Sequence, residues 1–218
     1  MLRLLLALLV VAAVVPSAAT TAGPGFVYDR ELSWWAVNSL EVASVQSGSL
    51  RKRIPYRTYV RCYLDRESFE RPLLARGATA PETRRTIAYY DRGGYVHLRS
   101  GTCERARRFA AGAITQETAG AFTTLLHEAL HRQGFRDENA TECWAIASVK
   151  FGGWLARWNR IEGHDETAWL ASERTGDRAL VLAYRSSLAS AAAEYLVSAD
   201  CLDRAERESW SDYLRRQS

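Results

Sequence analysis

The sequence predicts an α+β domain in which a small antiparallel sheet precedes a helical half. Two observations carry this prediction. Strand-like alternation and a hairpin turn occupy residues 56–100, and helical periodicity dominates after Cys103. Because the strands come first and the helices follow, rather than alternating with them, a doubly wound α/β architecture is not expected.

The strand-like part contains one single strand and one hairpin. Residues 56–64 (YRTYVRCYL) alternate and are rich in tyrosine, valine and threonine, which favour strands. Residues 68–80 are typical of a helix or a loop. Residues 83–100 predict a hairpin whose turn runs through Asp91-Arg92-Gly93-Gly94. His97 lies on its second strand, where we consider it as a stabiliser of an oxyanion.

The helical half is divided by short polar breaks. We expect a short helix at residues 104–111, a longer one at 115–133, a third at 137–158, and one or two more within 166–196. In the second of these, Phe122, Leu125, Leu126, Ala129 and Leu130 form an apolar stripe.

The two ends differ from this domain in composition. Residues 1–22 combine Arg3, an apolar run and small residues before a cleavage site, as in a secretory signal peptide. Residues 23–50 predict an irregular N-terminal arm, residues 51–200 the folded domain, and residues 201–218 a charged C-terminal tail. We therefore expect a secreted, extracytoplasmic protein.

Charge and hydropathy exclude two classes of partner. The formal net charge is +4, with basic residues scattered among acids, so no nucleic-acid interface is predicted. Beyond the leader no stretch approaches about 18 apolar residues, so no stable membrane anchor is expected after leader removal. Neither property predicts an oligomeric state.

Four cysteines fit an exported protein. An even number in that compartment favours disulfides, and the absence of a CxxC spacing argues against a four-cysteine zinc site. Cys62 and Cys103 flank the strand-like region, whereas Cys143 and Cys201 lie in the helical half. We therefore predict the pairs Cys62–Cys103 and Cys143–Cys201.

The run His127-Glu128-Ala129-Leu130-His131 is the feature with the clearest chemistry. Histidines four apart on a helix lie about 40° apart around its axis, so both imidazoles can bind one Zn²⁺. Glu128 then lies beside the metal and can accept a proton from its water ligand. This pattern predicts metal-assisted hydrolysis of a peptide bond with Glu128 as general base.

The segment after this motif resembles the second-helix motif of gluzincin metallopeptidases. The run from Glu138 to Ala145 (ENATECWA) carries the similarity, and the chain is also similar to uncharacterised secreted bacterial HExxH proteins. The resemblance covers about residues 119–150, and it implies a zincin-like domain, which we assign to residues 51–200, with Glu138 as third zinc ligand. It also implies that Glu142 supports a ligating histidine.

Two other residues remain candidates for the third ligand. If the helices fold back around residues 134–137, the residue that faces the histidine pair is near Glu142. The spacing His127-x-x-x-His131-x-x-Gly134-x-x-Asp137 is similar to the metzincin pattern, with Asp137 in place of its last histidine. Both carboxylates suit zinc.

The leading hypothesis is therefore an exported, disulfide-linked zinc metallopeptidase that acts on a peptide or protein substrate. A second hypothesis is a zincin-like envelope or interaction module that binds zinc without substantial hydrolysis. A third is an exported binding protein in which the motif is incidental.

Overall fold

The structure, a computed structural model, describes residues 25–46 and 57–190. Within them, seven helices and a four-stranded mixed sheet form the α+β fold that the sequence predicts. The predicted leader, the charged tail and Cys201 lie outside the described residues. In the described part of the chain, no helix has the length and apolar character needed to cross a membrane.

The sheet has the strand order β1-β2-β4-β3. Its strands are β1 (Phe26–Asp29), β2 (Tyr59–Tyr63), β3 (Ala88–Tyr90) and β4 (Tyr95–Leu98). The predicted hairpin is confirmed, because β3 and β4 pair antiparallel with Tyr89 opposite His97.

The prediction of a wholly antiparallel sheet is wrong. β2 pairs parallel with β4, with Arg61 opposite His97. Two helices and β3 separate these strands along the chain, and such a crossover returns the chain to the same end of the sheet. Alternation in a single strand carries no information about the direction of its partner.

The helices account for most of the described chain. They are α1 (Arg30–Gln46), α2 (Arg66–Ala75), α3 (Ala80–Arg85), α4 (Ser100–Ala110), α5 (Gln116–Arg132), α6 (Glu138–Trp158) and α7 (Glu166–Ser190). Helices α1, α4 and α5 contact the sheet, while α5, α6 and α7 pack against one another. The core lies between these layers, with fully buried side chains such as Leu40, Val60, Val96, Phe122, Leu126 and Ile146.

The prediction of an irregular arm over residues 23–50 is also wrong, because β1 and α1 occupy residues 26–46. Asp29 stabilises the start of α1: its Oδ1 accepts the backbone N–H of Leu32 at 2.8 Å. The buried positions Leu32, Trp35, Ala36, Ser39, Leu40 and Ala43 recur at helical spacing. The small and polar residues among these positions, such as Ser33, Asn38 and Ser39, obscured this periodicity in the sequence.

A disulfide joins the sheet to the helices. Cys62 on β2 is bonded to Cys103 on α4, which confirms one of the two predicted pairs. Both residues are buried in the core. Because Cys201 lies outside the described residues, the pair Cys143–Cys201 stays a prediction.

Removal of this bond is expected to destabilise the domain. The cysteines are 41 residues apart, so the cross-link restricts a long loop of the unfolded chain. The variant Cys62→Ala/Cys103→Ala should lose about 3–4 kcal/mol of unfolding free energy in urea titrations. A loss under about 1 kcal/mol would mean that the cross-link contributes little to stability.

Candidate metal centre

The site is built at the turn between α5 and α6. Helix α5 ends at Arg132, and Gly134, with a φ of +103°, reverses the chain in a conformation that glycine adopts readily. Asp137 then caps α6 by accepting the backbone N–H of Ala140 at 2.7 Å. The first turn of α6 thereby lies beside the last turn of α5.

Three side chains from these two turns converge on one point. The Nε2 atoms of His127 and His131 are 3.0 Å apart. Glu138 Oε2 lies 3.0 Å from the first and 3.2 Å from the second. Ligands bound to zinc in a tetrahedron at about 2.0–2.1 Å are about 3.3 Å from one another. His127, His131 and Glu138 form a group that could hold a metal ion.

The hydrogen bonds of the outer ring nitrogens define which nitrogens face the centre. His131 Nδ1 lies 2.9 Å from the carbonyl oxygen of Phe135, which can only accept, so this nitrogen donates. His127 Nδ1 lies 2.9 Å from Glu142 Oε2 and donates to that carboxylate. In their neutral forms, both rings therefore direct an Nε2 lone pair at the centre.

Two imidazole lone pairs and a carboxylate oxygen at these distances repel one another unless a cation lies among them. A proton on His127 would also remove this repulsion. Burial disfavours the charged form of His127, but hydrogen bonds to Glu138 and Glu142 outweigh it and raise the pKa of His127 to about 10. The hydrogen bond to His127 also lowers the pKa of Glu138.

This protonation predicts the pH dependence of metal binding. A metal must displace the proton of His127, whose ordinary pKa is 6.5 and whose folded-state pKa is about 10. The apparent metal affinity should therefore rise about tenfold per pH unit between roughly pH 7 and 8.5, measured against a chelator of known affinity. An affinity that stays constant over that range would show that His127 is neutral before the metal binds.

The three candidates for the third ligand, Asp137, Glu138 and Glu142, occupy different positions relative to the histidines. Asp137 uses its carboxylate to cap α6, and it is not part of the three-residue group. Glu142 contacts the outer nitrogen of His127, one helical turn beyond Glu138. The side chain of Glu138 is 53% exposed, whereas that of Glu142 is 15% exposed, so the centre is open to solvent on the Glu138 side.

These positions predict a ranking of variants. Glu138→Ala should remove a ligand and abolish tight metal binding, whereas Glu142→Ala should weaken binding by roughly 10–100-fold. Asp137→Asn is the control, because asparagine caps a helix equally well, and its metal affinity should match that of the wild type. Affinities measured by chelator competition would contradict the assignment if Glu142→Ala lost more than Glu138→Ala.

Glu128 lies beside the same centre but faces the sheet. The residue as a whole is partly buried, and its carboxylate, which lies in the interior, accepts a hydrogen bond from the backbone N–H of Tyr90 and interacts electrostatically with His127 and His131. Burial raises the pKa of Glu128 above its ordinary value, against the opposing effect of both histidines. A carboxyl group with a raised pKa is suited to proton transfer near neutral pH.

Tyr90 is a site residue that the sequence did not reveal. It ends β3, and its ring stacks on His131 with centroids 5.3 Å apart. Its position immediately before the hairpin turn was visible in the sequence, but nothing there indicated which helix it would contact.

His97, considered above as an oxyanion stabiliser, is not at the centre. It is 2% exposed, and its ring nitrogens contact Asp91 Oδ2 at 2.8 Å and the Tyr63 hydroxyl at 3.0 Å. It stacks on Tyr89, whereas the adjacent Tyr90 stacks on His131. Since neighbouring residues of a strand point to opposite faces, His97 lies on the far side of the sheet.

The chain matches no protein-family model, no curated protein and no solved structure.

Proposed function

We propose that this protein is an exported zinc-dependent peptidase. The single observation that carries the proposal is the convergence of two imidazole lone pairs and one carboxylate oxygen within 3.0–3.2 Å of one another, next to the carboxylate of Glu128. Two histidines and one carboxylate are a ligand set of catalytic zinc sites, which leave a further position for water or substrate.

The residues present fit zinc in donor type and spacing. His127, His131 and Glu138 would hold the ion, and the hydrogen bonds to Phe135 and Glu142 keep both rings oriented. When bound, zinc supplies a Lewis acid that lowers the pKa of a water ligand toward about 7 and polarises a scissile carbonyl.

Glu128 is the group that moves the proton in this proposal. It accepts a proton from the attacking water and passes it to the leaving amine of the peptide. The hydrogen bond from the Tyr90 N–H restrains one side of its carboxylate, so that the geometry of the base is set by the edge of the sheet. A centre that only stabilised the fold would have no need of such a base.

Export is supported by the disulfide between Cys62 and Cys103, because stable disulfides belong mainly to oxidising compartments. The leader-like composition of residues 1–22 supports it too. The proposal thus places peptide hydrolysis outside the cytoplasm.

The decisive experiment combines metal analysis with digestion of a broad peptide library. Purified protein should contain about one zinc per chain and cleave peptides, lose cleavage on chelation, and regain it with zinc. Zinc binding without cleavage under zinc-replete conditions would favour an interaction module instead. Absence of bound metal would refute both functions.

A further inference from the structure

Four arginines surround a concavity between α6 and α7, remote from the metal centre. Arg157 and Arg160 come from the end of α6 and the residues after it, and Arg174 and Arg178 from successive turns of α7. The concavity has a volume of about 600 Å³, which is in the size range of small-molecule sites. Arg157 lies 19 residues after Glu138, about 28 Å along a helix.

Within the part of the chain that the structure describes, no acidic side chain balances the charges of these arginines. Among the described residues that line the concavity there is no aspartate or glutamate. None of the four arginines takes part in an ion pair within residues 25–46 and 57–190. Lys150 on α6, in contrast, pairs with Asp177 on α7 at 2.8 Å. Four guanidinium groups around one space repel one another, and a bound anion would remove that cost.

The walls of the concavity add to this effect. Ile114 and Ala156, which are 8% and 2% exposed, lie at the base of the concavity, and the four exposed arginines lie around them. Several charges of one sign around a concave surface concentrate the field on an oppositely charged ligand. The four arginines are exposed to solvent, but they surround a concave surface rather than a flat one.

Arg160 lies next to the backbone at Gly112. A Cβ at this position would meet the Arg160 guanidinium, and Gly112 has a φ of +79°, which residues with a side chain rarely adopt. Glycine at this position therefore leaves room for Arg160 at the edge of the concavity.

We propose that this concavity, the arginine pocket, is a binding site for a small oxyanion that carries several phosphate-type charges. Guanidinium groups bind phosphate oxygens through paired, charge-assisted hydrogen bonds. Four of them exceed what a single monoanion needs, which favours a ligand with two or more such groups. The proposal is independent of peptide hydrolysis at the metal centre.

The test compares two double variants that remove the same charge. Arg174→Gln/Arg178→Gln changes the pocket at exposed positions of α7, and Arg84→Gln/Arg85→Gln changes exposed positions of α3. Glutamine has nearly the helix propensity of arginine, so both variants should fold. Circular dichroism and thermal unfolding check this before binding is measured.

Binding of inorganic tripolyphosphate is measured by calorimetry at low and at physiological salt. Vesicles of phosphatidylglycerol, compared with phosphatidylcholine, present phosphate on a lipid surface instead. We expect saturable binding to at least one of these probes, weakened at least about tenfold in the α7 variant and unchanged in the α3 variant. The probe that binds then identifies a free or a lipid-borne ligand.

Three outcomes would overturn the proposal. The first is no saturable binding to either probe, and the second is equal weakening in both variants, which would indicate only a general effect of net charge. The third is binding that the α7 substitutions leave intact, as expected if tripolyphosphate bound at the metal centre.

Discussion

Replacing Glu128 by glutamine is expected to lower the rate of peptide hydrolysis by about 10²–10⁴-fold, with zinc content and fold unchanged. The amide oxygen of glutamine can still accept the Tyr90 N–H, so the local hydrogen bond survives. Glutamine cannot accept a proton from water, however, and the proposed base is lost. The rate is measured on a peptide identified in the library digestion.

Glu117→Gln is the matched control for this variant. Glu117 lies in the first turn of the same helix, α5, is exposed, and is remote from the metal ligands. Its substitution makes the same chemical change and should leave the rate within about twofold of the wild type, as surface changes usually do. A Glu128→Gln enzyme that cleaves as fast as the wild type would contradict the mechanism.

The second large effect concerns the metal itself. The double variant His127→Ala/His131→Ala removes two of the three converging ligand atoms and should abolish zinc binding. The loss of zinc affinity should exceed the roughly 10–100-fold weakening that is expected when a residue that only orients a ligand, such as Glu142, is removed. Zinc is quantified by mass spectrometry after dialysis against a weak chelator.

His164→Ala provides the control, because His164 is an exposed histidine that contacts Trp158 rather than the centre. The thermal unfolding of the double variant is compared with that of chelator-treated wild type, which separates loss of metal from loss of fold. Full zinc occupancy in the double variant would place the metal elsewhere in the protein.

The parts of the fold that the sequence predicted are those defined by local patterns. The hairpin followed from the Asp91-Arg92-Gly93-Gly94 turn between two alternating runs, and α5 followed from its apolar stripe. The prediction that His127 and His131 share one face of α5 followed from helical geometry alone, which is independent of tertiary structure. Such features depend on neighbours within a few residues.

The choice of third ligand depends on a tertiary quantity, namely how far α6 is displaced along α5. A symmetric helical hairpin would place Glu142 opposite the histidines. In the structure, α6 begins directly after the turn at Gly134, and Glu138 on its first turn reaches the Nε2 atoms. Glu142 therefore meets the outer nitrogen of His127.

The environments of His97 and Tyr90 were also not predictable from local patterns. Each depends on which strand lies beside which helix, and the parallel pairing of β2 with β4 sets that arrangement. The sequence of one strand does not specify which strands lie beside it in the sheet.

The candidate metal centre and the sheet differ in how far apart their parts lie along the chain. His127, His131 and Glu138 fall within one short stretch that spans a single turn, so little loop-closure entropy is lost in bringing them together. β1 and β2, in contrast, meet only across α1 and the residues that follow it, and β2 meets β4 only across two helices and a strand. The sheet and the helices share one core, so the long-range pairings of the sheet raise the contact order of the whole domain. The geometry of the three side chains, in contrast, depends mainly on a single local element, the turn between α5 and α6.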